Sequence, residues 1–464
     1  MTHLLSILPQ TPLEITTRGA PQSTRRAPTF AIYTLGCKVN QADSTVLARS
    51  LNQKGFRRVA FKDSADLYVI DTCTVTSEAD KKSRKAAARA TRNNPDALVA
   101  VTGCAATYAA EKFHRVAPDA LVLSNARKFE LPELALQRLR ARQDWGAEYS
   151  RLREETASEP VFISTPTRAV LKIQDGCNHN CSYCIIPTVR GASTLKSRAS
   201  ILEEASTLLA EGAREIIVTG VSMGDFSSGG RRQKAAGRNG SLCDLLRELS
   251  TLDGLQRLRV SSLDPADVDE EYLQTIANTP KICPHIHLAL QSGSASTLRR
   301  MRRRYTPQLF LEAAKRWREI APDGGLTTDI IVGFPGESDN EFQESVRVAR
   351  EAKFCSIHVF PYSPREGTAA AQSGKLAGSL IDPITQNHRM QELLAVAEEL
   401  STQFATRFVG RTVPVLIEQI GDTFAEGLTE NYLRVRVGTV KNFAIGDVID
   451  AHVESWSNGA LQVI

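Results

Sequence analysis

The sequence predicts an α/β protein in three parts: an N-terminal doubly wound parallel sheet, a central six-unit (βα) partial barrel and a small C-terminal all-β barrel. Three observations predict it. From residue 30 to about residue 360, short apolar runs alternate with helical patterns at the spacing of βαβ units. Beyond residue 411 the helices give way to short alternating runs punctuated by Gly and Asn. The 464 residues are 42 % hydrophobic and 23 % charged, which supplies several cores and excludes a disordered chain.

Residues 1–28 are rich in Ser, Thr and Pro and are expected to be a flexible extension; Pro9, Pro12 and Pro21 interrupt any amphipathic transit helix. In 29–140, FAIYTL (30–35), DLYVI (66–70) and ALVAV (97–101) read as buried parallel strands, with helices over 41–54 and 77–92. Residues 141–165 read as a polar linker. Across 166–403 six further strands are expected: AVLKI (169–173), EIIVTG (215–220), LRVSSL (258–263), HIHLAL (285–290), TTDIIVGF (327–334) and SIHVF (356–360). Residues 224–240 read as a Gly-, Ser- and Arg-rich loop, and a long helix spans about 383–407. Residues 404–464 form the small β domain. No run reaches the roughly 18–20 apolar residues of a membrane span, so no membrane partner is expected.

Nine cysteines, an odd number in a long chain without a secretory signal, speak for reduced thiols rather than a disulfide scaffold. Cys37, Cys73 and Cys104 each fall just after one of the first three strands. In a parallel sheet those strand ends share one edge, where open α/β sheets bind ligands. Three cysteines distant in sequence are therefore expected to converge. Cys177, Cys181 and Cys184 form a CxxxCxxC run directly after the first barrel strand. Three thiolates on one loop can hold three corners of a cuboidal iron–sulfur cluster and leave one iron open. A structural zinc knot would want a second CxxC or a His pair, and neither follows. Cys243, Cys283 and Cys355 show no mutual spacing and read as core thiols.

The CxxxCxxC loop, with an aromatic before its last cysteine and a six-unit barrel behind it, resembles the radical S-adenosylmethionine superfamily. TLGCKVNQADS (34–44), DTCTVTSEADKKSR (71–84), KIQDGCNHNCSYCIIPTVRG (172–191), TTDIIVGFPGES (327–338) and HVFPYSPREGT (358–368) narrow the likeness to the methylthiotransferases over nearly the whole chain. GCKVNQ, DTCTVT, KIQDGCN and HVFPYS resemble the MtaB-type branch. The isopentenyladenosine-modifying branch is expected to carry GCQMN and MEGC instead. The resemblance implies a radical barrel, a C-terminal TRAM domain, S-adenosylmethionine and two 4Fe–4S clusters. One cluster would sit on Cys177, Cys181 and Cys184, the other on Cys37, Cys73 and Cys104. It implies a cytoplasmic enzyme that methylthiolates carbon 2 of N6-threonylcarbamoyladenosine at tRNA position 37. An electron donor such as flavodoxin or ferredoxin and a sulfur source are the further partners it implies.

Tyr183, Gly220, Ser262, Gln291 and Gly333 fall where that family lines its S-adenosylmethionine site. Asp264 stands at what resembles a family Glu position, and Asp329 and Glu337 flank GFPGE, where one of them can be a structural carboxylate. Arg190 is a candidate partner for the threonylcarbamoyl carboxylate. With RNA as the implied partner, Lys81, Lys82, Arg84 and Lys85, and Arg302, Arg303 and Arg304, read as phosphate contacts. Residues 404–464 hold five basic residues against seven acidic, so the TRAM domain as a whole should attract phosphate less; Arg434 and Arg436, near Tyr432, are its best local patch. Two alternatives stay open: a ribosomal protein or isopentenyladenosine tRNA as substrate, or a non-catalytic RNA-binding or iron-sensing relative.

Overall fold

The computed structural model describes residues 27–141, 167–228, 240–372, 379–438 and 443–463. The expected linker and most of the Gly/Ser/Arg-rich loop lie outside them. The chain divides into two compact units: 1–35, 44–72 and 81–161 form one, and 36–43, 73–80 and 162–464 the other.

In the first unit five parallel strands stand in the order β2-β1-β3-β4-β5: β1 (Thr29–Thr34), β2 (Arg57–Arg58), β3 (Leu67–Thr72), β4 (Leu98–Gly103) and β5 (Leu121–Val122). Every residue of β3 and β4 is buried, which is why both read as unbroken apolar runs. The helix Ser77–Asn93 buries Ser83, Ala86, Ala87 and Ala90, a narrow stripe at helical spacing. Its basic residues stand outside that stripe. The register pairs Thr34 with Asp71 and Thr72 with Gly103. So β1, β3 and β4 end level on one edge of the sheet, and Cys37, Cys73 and Cys104 come next in the chain. Beneath that edge lies a buried ion pair, Lys128 Nζ to Asp71 Oδ1 at 3.0 Å.

The stretches 36–43 and 73–80 leave β1 and β3 yet group with the second unit. Their polar residues explain it. Asp43 pairs with Lys172 and Arg190, and Asp80 accepts from Arg365.

All six expected barrel strands are present in the second unit: β6 (Arg168–Lys172), β9 (Glu215–Thr219), β10 (Arg257–Val260), β12 (His285–Leu288), β13 (Gly325–Val332) and β14 (Ser356–Pro361). With a short β11 (Ser262–Leu263) they form two parallel sheets, β10-β9-β6 and β11-β12-β13-β14. The LRVSSL run supplies both β10 and β11, and so passes from one sheet to the other. A short antiparallel pair not expected from the sequence, β7 (Gln174–Asp175) with β8 (Thr194–Leu195), flanks the cysteine loop. The strands obey the period of two. Leu171, Ile216, Val218, Leu258, Val260, Ile286, Leu288, Leu326 and Ile330 pack with helix residues such as Leu245, Phe310 and Trp317 in one core. Their sequence neighbours, among them Arg168, Lys172, Glu215, Arg259, His287 and Asp329, line the opposite, inner face.

A closed barrel follows the helix Pro383–Thr406: β15 (Thr412–Ile420), β16 (Phe424–Thr429), β17 (Arg434–Gly438), β18 (Val448–Ser457) and β19 (Ala460–Val463). It docks under the amino ends of the central strands. Arg257 donates to Leu428 O at 2.8 Å and Pro414 O at 3.1 Å, and Arg259 to Glu430 O at 2.8 Å. Tyr432, close to Arg434 and Arg436 in the chain, turns inward. Its ring stacks on His285 at 4.5 Å and lies under Arg259 at 5.2 Å, inside the base of the central barrel. Among the described residues no helix is long and apolar enough to cross a membrane.

Candidate metal centres

Strand β6 delivers the chain to the CxxxCxxC loop, and Gln174 fixes the exit. Its amide nitrogen donates to Gly176 O at 2.8 Å and Ser193 Oγ at 2.9 Å. Its oxygen accepts from the backbones of Val221 and Ser222 at 2.8 and 2.7 Å. A Cβ on Gly220 would stand 3.0 Å from that oxygen, so Gly220 is where the β9 exit closes on Gln174. The far side of the loop is tied to the segment after helix Ala295–Arg300: Ser182 N donates to Met301 O at 3.0 Å and Ser182 Oγ to Arg300 O at 2.7 Å.

The sulfurs receive donors. His179 N points at Cys177 Sγ at 3.4 Å and Arg303 Nη1 at Cys181 Sγ at 3.3 Å. Burial pushes Cys177 up, and pushes Cys184 up to about 12. Thiols so placed are poor free nucleophiles, but a bound metal deprotonates its thiol ligands outright. Two of the strand-end cysteines, Cys73 and Cys104, also have N–H groups at their sulfurs, while Cys37 is exposed. Val75 N lies 3.5 Å from Cys73 Sγ, and Asn125 Nδ2 lies 3.5 Å from Cys104 Sγ. Gly36, at φ +103°, turns the chain so closely over Cys73 that a Cβ there would sit 2.9 Å from its sulfur. N–H donors on thiolate sulfur are the surroundings iron–sulfur clusters use.

Around this loop the expected cofactor-lining residues are placed as follows. Tyr183 stands edge-on to Phe334 at 6.3 Å and packs beside Leu298, Met301 and Tyr362. Gln291 has φ +62° and bridges the backbones of Asp329 and Ile331. Gly333, at φ +75°, donates to buried Glu337, which also accepts from Arg389 at 3.0 Å, so Glu337 is the structural carboxylate of the pair. Ser262 is exposed on β11. Asp264 caps the turn Pro265–Asp267 and pairs with Arg303 at 2.8 Å.

Two expectations need correcting. Arg303 is not an exposed arginine: its side chain is 11 % exposed and spans Cys181, Asp264 and the Tyr305 ring. Arg190 is only 2 % exposed and is already held by Asp175 at 2.8 Å, by Asp43 at 3.3 Å and by Asn40, so its guanidinium is not offered to a substrate carboxylate. Of the neighbouring arginines, Arg304 pairs with Asp267 at 3.1 Å, and Arg302 is exposed. Lys81 and Lys85 are exposed, with Lys82 and Arg84 half-buried beside them, and none of the four makes an ion pair among the described residues. On the C-terminal barrel Arg436 pairs with Glu426, while Arg407 and Arg411 both reach Asp323; Arg434 is exposed.

The inner face also carries a group that sequence reading did not assemble. His358 Nδ1 is 3.1 Å from Asp329 Oδ1, and His287 Nε2 is 3.4 Å from Asp329 Oδ2. Burial works to raise the Asp329 carboxyl, but the flanking His287 and His358 outweigh it and hold it well below the usual carboxylate range. The alternation in HIHLAL, with His at every second position, was the available signal.

Residues 171–349 match the Radical SAM superfamily, and residues 29–124 match a family described as Uncharacterized protein family UPF0004. The threonylcarbamoyladenosine tRNA methylthiotransferase MtaB of Bacillus subtilis is 33 % identical over 416 residues, 88 % of this chain and 90 % of that protein. The chain belongs to the radical S-adenosylmethionine methylthiotransferase family. The tRNA-2-methylthio-N(6)-dimethylallyladenosine synthase of Mycobacterium bovis is 34 % identical, covering 93 % of this chain and 85 % of its own. In fold the chain is similar to the radical S-adenosylmethionine methyltransferase TsrM of Kitasatospora setae, solved with cobalamin and a 4Fe–4S cluster. The TM-score is 0.53 at 15 % identity, over 77 % of this chain and 80 % of that one. A methylthiotransferase uses S-adenosylmethionine and 4Fe–4S clusters, and two trios of thiols, with N–H donors at Cys177, Cys181, Cys73 and Cys104, are a donor set that fits two such clusters.

Proposed function

We propose that this methylthiotransferase acts on tRNA, adding a methylthio group to carbon 2 of N6-threonylcarbamoyladenosine at position 37. The observation that carries the reading is the pairing of two cysteine trios at strand carboxyl ends with relatives of that activity along most of the chain. Relatives acting on dimethylallyladenosine match at equal identity, so identity alone does not choose. The motifs GCKVNQ and DTCTVT favour the threonylcarbamoyl substrate.

In this reading Cys177, Cys181 and Cys184 hold one 4Fe–4S cluster, and Cys37, Cys73 and Cys104 hold the second. Bound clusters supply one-electron reduction of S-adenosylmethionine and a soft iron position for sulfur. The chain's own residues prepare the place. Gln174 and Ser182 hold the CxxxCxxC loop rigid from both sides, and Arg303 orients Cys181. Tyr432 closes the barrel's base against water. Tyr183, Gly220, Ser262, Gln291 and Gly333 line the S-adenosylmethionine side. Lys81, Lys82, Arg84, Lys85 and Arg302 supply phosphate contacts. The enzyme works in the cytoplasm with an electron donor of the flavodoxin or ferredoxin kind and a sulfur source.

The test is nucleoside analysis of tRNA from cells with and without the gene. The methylthio derivative of threonylcarbamoyladenosine should vanish on deletion and return with the intact gene. Loss of the dimethylallyl derivative instead would reassign the substrate.

A further inference from the structure

Three neighbouring strands present His287, Asp329 and His358 on the inner face of the central barrel. The register pairs Asp329 directly with His358 and places His287 opposite Thr327. One ligand atom from each lies within 4.8 Å of the others. A tetrahedral zinc ion with bonds of about 2.0–2.1 Å keeps its ligand atoms about 3.3 Å apart. His358 Nδ1 lies 3.1 Å from Asp329 Oδ1 and His287 Nε2 lies 3.4 Å from Asp329 Oδ2, so each imidazole stands near that spacing from one oxygen of the carboxylate.

The other ring nitrogen of His287 is anchored. His287 Nδ1 stands 2.9 Å from Thr327 Oγ1, whose hydroxyl is shared with His285 Nε2 at 3.0 Å. In the tautomer that donates Nδ1–H to Thr327, Nε2 carries the lone pair and faces Asp329, as a metal ligand must. That nitrogen is buried and makes no hydrogen bond. Metal-binding histidines are oriented in this way by a partner at the other ring nitrogen. His358 is 47 % exposed, so an ion has a way in and an open coordination position remains.

We propose that His287, Asp329 and His358 bind one divalent transition ion of the zinc class, separate from both cysteine trios. Two imidazoles and one carboxylate with open positions suit such an ion better than magnesium or calcium, which prefer all-oxygen shells. The ion would give the inner face a Lewis-acidic point for a carboxylate or carbonyl oxygen. This does not depend on which nucleoside the enzyme modifies.

The test uses the full chain with its clusters loaded anaerobically, so that its thiols are occupied. The protein is incubated with zinc sulfate, desalted and assayed for both metals. The expected result is about one zinc per chain, with iron unchanged at about eight. His358→Ala and Asp329→Asn should each retain at least tenfold less zinc with the same iron. Zinc-edge X-ray absorption of the unaltered protein keeps the proposal testable if a variant misfolds. It should show nitrogen and oxygen near about 2.0–2.1 Å and no sulfur shell near about 2.3 Å. A sulfur shell, or zinc retention equal in wild type and properly folded variants, overturns the proposal.

Discussion

Replacing Glu215 by Gln should weaken the attachment of the C-terminal barrel to the central one. Glu215 is 0 % exposed and accepts from Arg168 Nε at 3.0 Å and from Arg259 Nε at 2.7 Å. Burial would raise its carboxyl, but Arg168 and Arg259 prevail and hold it at about 2, against an ordinary 4.5. Such a depression contributes stability of about 3 kcal/mol, fully present above pH 4.5 and lost as pH falls toward 2. Removing one partner of a buried ionic cluster costs about 3–5 kcal/mol by an independent route. At about 2–4 °C per kcal/mol, the two figures together lead to a loss of roughly 6–20 °C in melting temperature for a unit of this size. Circular dichroism melts of full-length wild type and Glu215→Gln at pH 7 measure it. The gap should narrow as the pH is lowered below about 4.5, because the wild type then loses its advantage. Limited proteolysis near residues 406–412 should quicken in the variant. A melting point within about 2 °C of wild type at pH 7 would show that Glu215 does not neutralise these arginines as described.

Other outcomes follow from the same structure. Alanine at Cys177, Cys181 or Cys184 should abolish S-adenosylmethionine cleavage, whereas alanine at Cys37, Cys73 or Cys104 should abolish thiolation and leave uncoupled 5′-deoxyadenosine; either set should lower iron from about eight to about four per chain. Equal loss of cleavage in both sets would refute the division of roles. Neutralising Lys81, Lys85 and Arg302 should reduce the salt slope of tRNA binding by roughly one or slightly less per contact. Arg303→Ala should leave that slope unchanged and alter the cluster's absorption spectrum, since Arg303 reaches Cys181 rather than solvent. Transfer to dimethylallyladenosine tRNA should have a kcat/KM at least about 100-fold lower than to threonylcarbamoyladenosine tRNA, because a site built for a polar group discriminates strongly against its absence.

The strands and the cysteine positions were readable because both rest on period and spacing. Buried runs such as LYVIDT and LVAVTG admit few other structures, and a cysteine directly after such a run lies at a sheet edge. The strands β2, β5, β7 and β8 escaped because two residues carry no period. The arginine run 299–304 misled for a different reason. Helix Ala295–Arg300 ends and Arg302 takes φ +58°, so successive arginines leave the chain in different directions: Arg300 to Glu341, Arg302 outward and Arg303 inward. Net charge on the C-terminal segment likewise said nothing about Arg407 and Arg411, whose shared partner Asp323 lies far away in sequence.

The C-terminal barrel is also the floor of the central one, and this changes what its removal means. Cutting the chain before Thr412 would take away the carbonyls that receive Arg257 and Arg259, the Glu418 that pairs with Arg168, and the ring stacked on His285. Three guanidiniums would open to water at the amino ends of the strands whose other ends carry the cysteine loop. A truncated enzyme that fails to modify tRNA would thus report a flooded barrel as readily as a lost RNA grip. The two are separable only by substitutions on the barrel's outer surface, such as Arg434→Ser, that leave the Tyr432 turn in place. Grafting this barrel onto another protein, or another onto this one, would succeed only if the arginine layer and the tyrosine turn travelled together.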